Sequence, residues 1–358
     1  MTPARCSRGA ALLTALLIVT LVTTLAAAML WRQARSIQIE SAERGRAQSD
    51  WVLQGALDWA RLILREDMRA NNNARGNAVD YNGEVWAVPL AEAKLASFLS
   101  TDDNHSADSG PEAFLSGRIE DVQGRFNLYN LIPIETPTAP NPPKQIAIAR
   151  RIFQAAGLSS GLADDVQKRL RQAWPQQTTE SSSNGGTSGS SSGTNSGSGS
   201  SSDATAPVLP VRVEQLTWLG LTQEQVDRLK PYVTILPPSA TNAKVITPTA
   251  ININTAPREV LAALDANMSL TDADRIVRAR EAKGITSSQW GNYAPQNVDV
   301  ADVIQYTSNY FVVTGQLRLD DRLVTMRSLV WRDTSLTTRV LDRQFVQQST
   351  SLLASQGK

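Results

Sequence analysis

The sequence predicts an α+β protein: a long N-terminal helix, an antiparallel sheet, and a large helical block inserted between two parts of that sheet. Three observations carry this. Ala10 to Leu30 is apolar and charge-free and runs into residues with helical spacing, Tyr310 to Arg332 alternates apolar and polar side chains with period two, and the chain between Asp121 and that alternation is punctuated by helix caps.

At roughly 20 residues and a rise of about 1.5 Å per residue, the run from Ala10 to Leu30 is long enough to cross a bilayer. A cleaved secretory signal would end in small residues and hand over to a polar chain, whereas here the helical rhythm continues past Trp31, Arg32 and Arg35 to about Asp67. Val52, Ala56, Trp59 and Ile63 form one stripe and Leu53, Leu57, Ala60 and Leu64 the next, the spacing of an amphipathic helix. The first half of this helix is expected in lipid and the second on a soluble surface. Arg5 and Arg8 ahead of the span place the N-terminus in the cytoplasm and the bulk outside, which in a bacterium is the periplasm.

Asn71 to Gly83 is rich in turn residues and is expected as a loop, followed by a short strand over Glu84–Leu90 and a helical turn over Ala91–Leu99. Thr101 to Pro111 is acidic and polar. Leu115–Asp121 and Arg125–Tyr129 flank the short connection Val122-Gln123-Gly124 and are expected to pair as a hairpin. Pro142 and Pro143 open a helix to Ala156 with Gly157 after its C-cap, and Ser159 or Ser160 can cap a second helix reaching Trp174. From Thr178 to Ala206 the composition collapses to Ser, Gly, Thr and Asn, a flexible loop inside one helical unit or a linker between two.

Thr222 and Gln225 form a capping-box pattern for a helix ending near Pro231. Ile251-Asn252-Ile253-Asn254-Thr255-Ala256-Pro257 precedes a further helix that Thr255 can cap, and Thr271 can cap the next, over Asp272–Lys283. Tyr310–Leu319 and Arg322–Arg332 around Asp320-Asp321 form a strong antiparallel hairpin, Arg339–Val346 adds a strand, and Gln347–Lys358 is a polar tail.

The leader ending in Gly9, the retained apolar segment and its amphipathic continuation resemble type IV prepilins and type II secretion pseudopilins. The passage from Glu120 to Leu131, with Gly124, Asn127 and Asn130, resembles the stretch by which the K-type minor pseudopilins (GspK, XcpX-like) pass from a pilin-like sheet into a helical domain. In major pilins the fifth mature residue is Glu, a charge that needs a positive partner inside lipid. Here it is Thr14, a departure that also marks the K type.

The resemblance implies cleavage after Gly9 and N-methylation of Ala10 by a prepilin peptidase, and a pilin-like sheet interrupted by a helical insertion resembling SAM or helix-hairpin-helix units. It implies these segments: leader 1–9, membrane half 10–31, amphipathic helix and first sheet part 32–125, insertion 126–306 containing the 178–206 loop, sheet 307–346 and tail 347–358. Asn127, Asn130, Asn252, Asn254 and Thr255 carry the insertion's motifs. Implied partners are the I and J minor pseudopilins and the H subunit, with the secretin and the exported cargo at the tip of the fibre, in the bacterial inner membrane. The assembly stripe would be Val52, Ala56, Trp59 and Ile63. The plainer alternative for the N-terminus is an ordinary signal anchor with Gly9 before its apolar run.

The Asn252-to-Ala256 signature also occurs in DNA-uptake proteins, so the alternative function is a membrane-anchored helix-hairpin-helix DNA binder of a DNA-uptake pilus. The connection Asp265–Thr271 has no glycine to bring backbone amides close to phosphate, and Asp272, Asp274 and Glu281 offset Arg275, Arg278, Arg280 and Lys283, which makes nucleic acid the weaker reading. A net charge of +1 adds no general pull toward polyanions.

Catalytic chemistry finds no foothold. The one histidine, His105, sits in a polar stretch, and the one cysteine, Cys6, lies in the leader, so neither a nucleophilic triad nor a zinc site can be assembled and a non-enzyme is expected. No cofactor is required. Calcium stays open, since Asp102, Asp103, Asp108 and Glu112 could join carbonyls around an ion, though their spacing matches no EF-hand loop.

Overall fold

The computed structural model describes residues 8–74, 76–94, 113–132, 142–174, 208–237, 248–319 and 322–349. Arg5, Cys6, the acidic group Asp102, Asp103, Asp108 and Glu112, His105, the 178–206 stretch, the Asp320-Asp321 turn and the tail beyond Ser349 lie outside the described residues.

Helix α1, Arg8–Asn73, is 66 residues long, about 100 Å at 1.5 Å per residue. From Leu12 to Leu30 its large apolar side chains all face outward, and Thr20, Thr23 and Thr24 turn their hydroxyls back to carbonyls of the preceding turn at 2.9–3.0 Å. That back-bonding satisfies these three hydroxyls without water, as a helix in lipid requires. The helix outruns the expected stop, because Asn71 and Asn72, read as loop, find tertiary partners. Asn71 Nδ2 donates to Asp80 Oδ1 at 2.7 Å and Asn72 Nδ2 to the Thr334 carbonyl at 2.8 Å.

One five-stranded antiparallel sheet packs against the C-terminal half of α1. Its strands are β1 (Leu90–Lys94), β2 (Ala113–Asp121), β7 (Tyr310–Leu319), β8 (Arg322–Arg332) and β9 (Thr338–Ser349), in that spatial order. The β7/β8 hairpin and the last strand lie where periodicity put them, with Leu319 opposite Arg322. Leu53, Leu57, Ala60 and Leu64 of α1 are buried against Leu115, Ile119, Phe311, Val313, Leu317, Met326 and Val330, each fully buried leucine contributing about 2 kcal/mol. At Gly315 a Cβ would stand 3.2 Å from Leu53 Cδ2, so the missing side chain sets how closely the helix approaches the sheet.

Two expectations before β2 are corrected. Glu84–Leu90 is not a strand: Val85–Ala87 form a 3₁₀ turn, and Ala91 onward is the strand β1 rather than a helical turn. Trp86 decides this. Its buried ring meets Phe311 edge-on at 5.2 Å, and its Nε1 donates to Glu84 Oε2 at 2.5 Å, which a straight strand would not allow.

The expected hairpin over Leu115–Tyr129 does not form. β2 pairs with β7 along its whole length, Asp121 opposite Phe311, and the chain then leaves the sheet. Phe126–Asn127 (β3) pairs in parallel with Val233–Thr234 (β4) instead. Gly124 is a close approach rather than a turn, since a Cβ there would lie 2.8 Å from the Thr255 backbone.

The chain between these two sheet strands builds a second core. It holds α2 (Pro142–Ala155), α3 (Gly161–Ala173), α4 (Gln223–Leu229), α5 (Arg258–Ala263) and α6 (Leu270–Ala282), with β3/β4 and the parallel pair β5 (Ile251–Asn252) and β6 (Ile304–Gln305). The α2 C-terminus ends as expected: Gly157 has φ +73°, and the amides of Gly157 and Leu158 donate to the carbonyls of Gln154 and Phe153, both at 2.9 Å. Thr222 and Gln225 form the expected capping box. Elsewhere the caps shift. Ser160 precedes α3 without a side-chain cap, α6 is capped by Ser269 with Asp272 rather than by Thr271, and α6 closes at Ala282.

The seam between the cores lies on the outer sheet face, where Val122 and Leu236 pack on Tyr310 and Val312 beside Leu329 and Trp331.

Candidate assembly interface and buried junction

The interface candidate follows from how α1 divides its faces. Gly9 and Ala10 lie in its first turns and Thr14 just beyond, ahead of the exposed apolar stretch. Of the stripe Val52, Ala56, Trp59 and Ile63, three members are half-buried on the flank of the chain's own sheet core, and only Trp59 projects, 46% exposed. The apolar face turned fully outward is a different one, Trp51 at 78% exposure with Trp59 and Leu62. Trp51 and Leu62 were missed because the stripe was read from the densest apolar spacing, which the sheet claims. The available signal was two tryptophans eight residues apart on a helix already supplied with a buried face.

Where α1, β2, β7, β8 and the second core meet, a polar junction is buried. Asp121, the last residue of β2, accepts through Oδ2 from Thr255 Oγ1 at 2.5 Å, Ser308 Oγ at 2.6 Å and Asn252 Nδ2 at 3.0 Å, while Oδ1 accepts from the Gln123 amide at 2.8 Å. Burial pushes this carboxyl above its ordinary range, and the two hydroxyls pull it back. Thr255, expected to cap α5, thus spends its hydroxyl on Asp121, and Pro257 occupies the N-cap position. Asn252 Nδ2 also reaches the Asp80 carbonyl and Ser308 Oγ, both at 2.9 Å.

Arg332 is the junction's cation, with no exposed side-chain surface. Its Nη1 lies 2.5 Å from Asp67 Oδ2, its Nη2 2.6 Å from Asp80 Oδ2, its Nε bonds the Ser308 carbonyl at 3.1 Å, and its guanidinium sits 4.5 Å from the centre of the Phe311 ring. Burial opposes its charge, and Asp80 followed by Asp67 more than restores it, so its pKa rises. Glu84 completes an acidic trio with Asp67 and Asp80, their ligand oxygens within 4.8 Å of one another. Burial, reinforced by the Asp67 charge, pushes Glu84 up to about 8, and the hydrogen bond from Trp86 pulls the other way. By residue type such a trio suits a hard cation such as calcium, yet the guanidinium already stands between two of its members and supplies the positive charge.

The insertion's remaining motif residues are backbone substitutes. Asn127 Oδ1 accepts from the amides of Leu236 and Tyr129 while its Nδ2 donates to Thr249 Oγ1 at 3.0 Å. Asn130 pairs with both the amide and the carbonyl of Thr249, at 2.8 and 2.9 Å, and Asn254 does the same with Ile285, at 2.8 and 3.0 Å. Arg280, one of the cations considered for phosphate, is buried with its guanidinium on the carbonyls of Ile253 and Ala256, and burial pulls its pKa down to about 10. Arg275 is held by Asp272 at 3.0 Å.

A bare apolar helix half, a sheet on the other half and a helical core inserted between neighbouring strands define a membrane-anchored, pilin-like assembly subunit. Models of the type II secretion system (T2SS) protein K match residues 124–238 and 251–304. A type II secretion system protein K of Pseudomonas aeruginosa is 27% identical over 96% of this chain and 94% of its own length, and one of Pectobacterium carotovorum is 25% identical over 90% and 92%. A chain of a crystal structure described as the GspK-GspI-GspJ complex from enterotoxigenic Escherichia coli shares the fold, with a TM-score of 0.56 at 18% identity, over 86% of this chain and 99% of that one. Over nearly its whole length the chain is thus similar to type II secretion system protein K, the K-type minor pseudopilins.

Proposed function

We propose that this protein sits at the tip of a type II secretion pseudopilus, joins I- and J-type minor pseudopilins and the H subunit there, and starts or caps the fibre that supports export of folded proteins. The observation that carries this is the division of α1, whose first half offers a charge-free, outward-facing apolar surface and whose second half offers an outward face at Trp51, Trp59 and Leu62 after the sheet has taken its own. In this reading a prepilin peptidase cuts after Gly9 and methylates Ala10, the apolar half anchors the subunit in the inner membrane with its bulk in the periplasm, and the helical insertion crowns the tip toward the secretin or the cargo. Thr14 lacks the charge with which a fibre-body subunit would meet a neighbour's amine, which suits a terminal position. The solved relative whose description names GspI and GspJ supports the choice of partners. The test is co-purification of the region from Arg32 onward with I and J subunits, expected to give a stoichiometric complex. A monomer at micromolar mixing overturns the proposal, as does an intact Met1 in the membrane-extracted protein.

A further inference from the structure

Beside the seam of the two cores, on the sheet face opposite α1, lies a cleft of about 90 Å³ whose charges do not balance. Arg212 and Asp342 close one side as a bidentate pair, both contacts at 3.1 Å. Lys230 engages Glu214 at 3.0 Å, and Arg327 is left 4.0 Å from the same carboxylate. Arg125 fares similarly. Its nearest acid, Glu120, is 3.9 Å away and already held by Arg118 at 2.9 Å. Arg125 is nonetheless largely buried, with 28% of its side chain exposed, and burial lowers its pKa, the nearby Arg327 charge adding to the effect.

Arg125 is costly to desolvate without a close acceptor, Arg327 repels it across the same cleft, and an anion seated between the two guanidiniums offsets both costs. The planar fork of each matches a carboxylate in two-point geometry. We propose that Arg125 and Arg327 form a carboxylate-binding site at the junction of sheet and insertion, and that its occupant is an acidic side chain or C-terminus of a partner polypeptide. The Lys230–Glu214 and Arg212–Asp342 pairs frame it. The site is on the opposite face of the sheet from the helix surface proposed for subunit assembly, so it stands or falls separately from the tip role.

The experiment uses the full chain in detergent and three fluorescein-labelled probes: a short peptide with two internal glutamates and an amidated end, its glutamine counterpart, and a neutral peptide with a free C-terminal carboxylate. Saturable binding of at least one carboxylate probe is expected below about 1 mM, with loss on the glutamine exchange and a shift to higher Kd with added salt. Whichever carboxylate probe binds identifies the source. Arg125→Gln with Arg327→Gln should weaken it at least about tenfold, and Arg125→Lys with Arg327→Lys should lie between, since charge remains but the fork is gone. Arg171→Gln, far along the chain on α3, should leave binding unchanged. The lysine pair keeps the test usable should the glutamine pair misfold. No binding to the native chain overturns the proposal, as does equal binding by the variants or equal displacement by inorganic phosphate.

Discussion

The two cores of this molecule bury polar groups in opposite ways. In the sheet core, four of the five strands are nine to twelve residues long and pair along their length, so its interior is apolar and, among the described residues, buried charge gathers at one end, around Arg332. In the insertion, strands are two residues long and α5 only six, too short to close their own hydrogen bonding, and Asn127, Asn130, Asn252 and Asn254 supply amide groups in place of a ladder. Regular structure makes polar side chains unnecessary inside, and fragmentary structure makes them indispensable. The junction belongs to both, since Asp121 ends a regular strand and is satisfied by Asn252 and Thr255 of the irregular core.

The comparison is broken most severely at Arg332. Arg332→Met leaves Asp67 and Asp80 buried without their cation and should cost about 3–5 kcal/mol, read from urea midpoints. A loss below about 1 kcal/mol would mean that the carboxylates do not depend on it. Asn127→Ala and Asn254→Ala should each cost about 1–3 kcal/mol through orphaned backbone groups, and proteolysis should then attack the insertion before the sheet. A valine-for-threonine exchange at half-buried Thr325, on the sheet face turned away from α1, gives the contrast, with a change near zero.

The junction also sets a pH response. Glu84 in the folded chain holds its proton up to about 8 while an unfolded Glu releases it near 4.5, so the folded state binds the extra proton in between and stability falls as pH rises through that window. Glu84→Gln should flatten that decline, measured as the difference in Tm between pH 5 and pH 9. Loss of the α6 cap in Ser269→Ala should cost about 1 kcal/mol. A similarly small effect on folding is expected at Trp51→Ala, within about 0.5 kcal/mol, although the same change should weaken co-purification with I and J subunits.

How far the sequence told all this depended on period and length. The 66-residue helix and the β7/β8 hairpin were legible because each repeats its pattern many times. Val122-Gln123-Gly124 was misread as a hairpin turn because a glycine needed for a turn and one needed for contact with Thr255 look alike without the second partner. Thr255 and Thr271 were assigned as caps on local spacing, but Asp121 claimed one hydroxyl from 134 residues away, and Ser269 fitted the capping box better. The insertion's asparagines were visible as a motif, and their role was not, since what they bond are amides and carbonyls that every residue carries. The unbalanced charges of Arg125 and Arg327 arise from packing between segments about 200 residues apart, beyond any local reading.

Asp121 and Phe311 stand directly opposite each other in the β2/β7 ladder. In polymer terms, everything between them is one hairpin loop of roughly 190 residues, and the entropy of closing such a loop grows only logarithmically, by about 3 kcal/mol over a four-residue turn. A folded core inside the loop lowers even that, because its own ends already lie close together. The sheet can therefore carry an insertion larger than itself at little thermodynamic cost, and the crown can be enlarged or exchanged while the strand pairing that anchors it to the helix stays as it is.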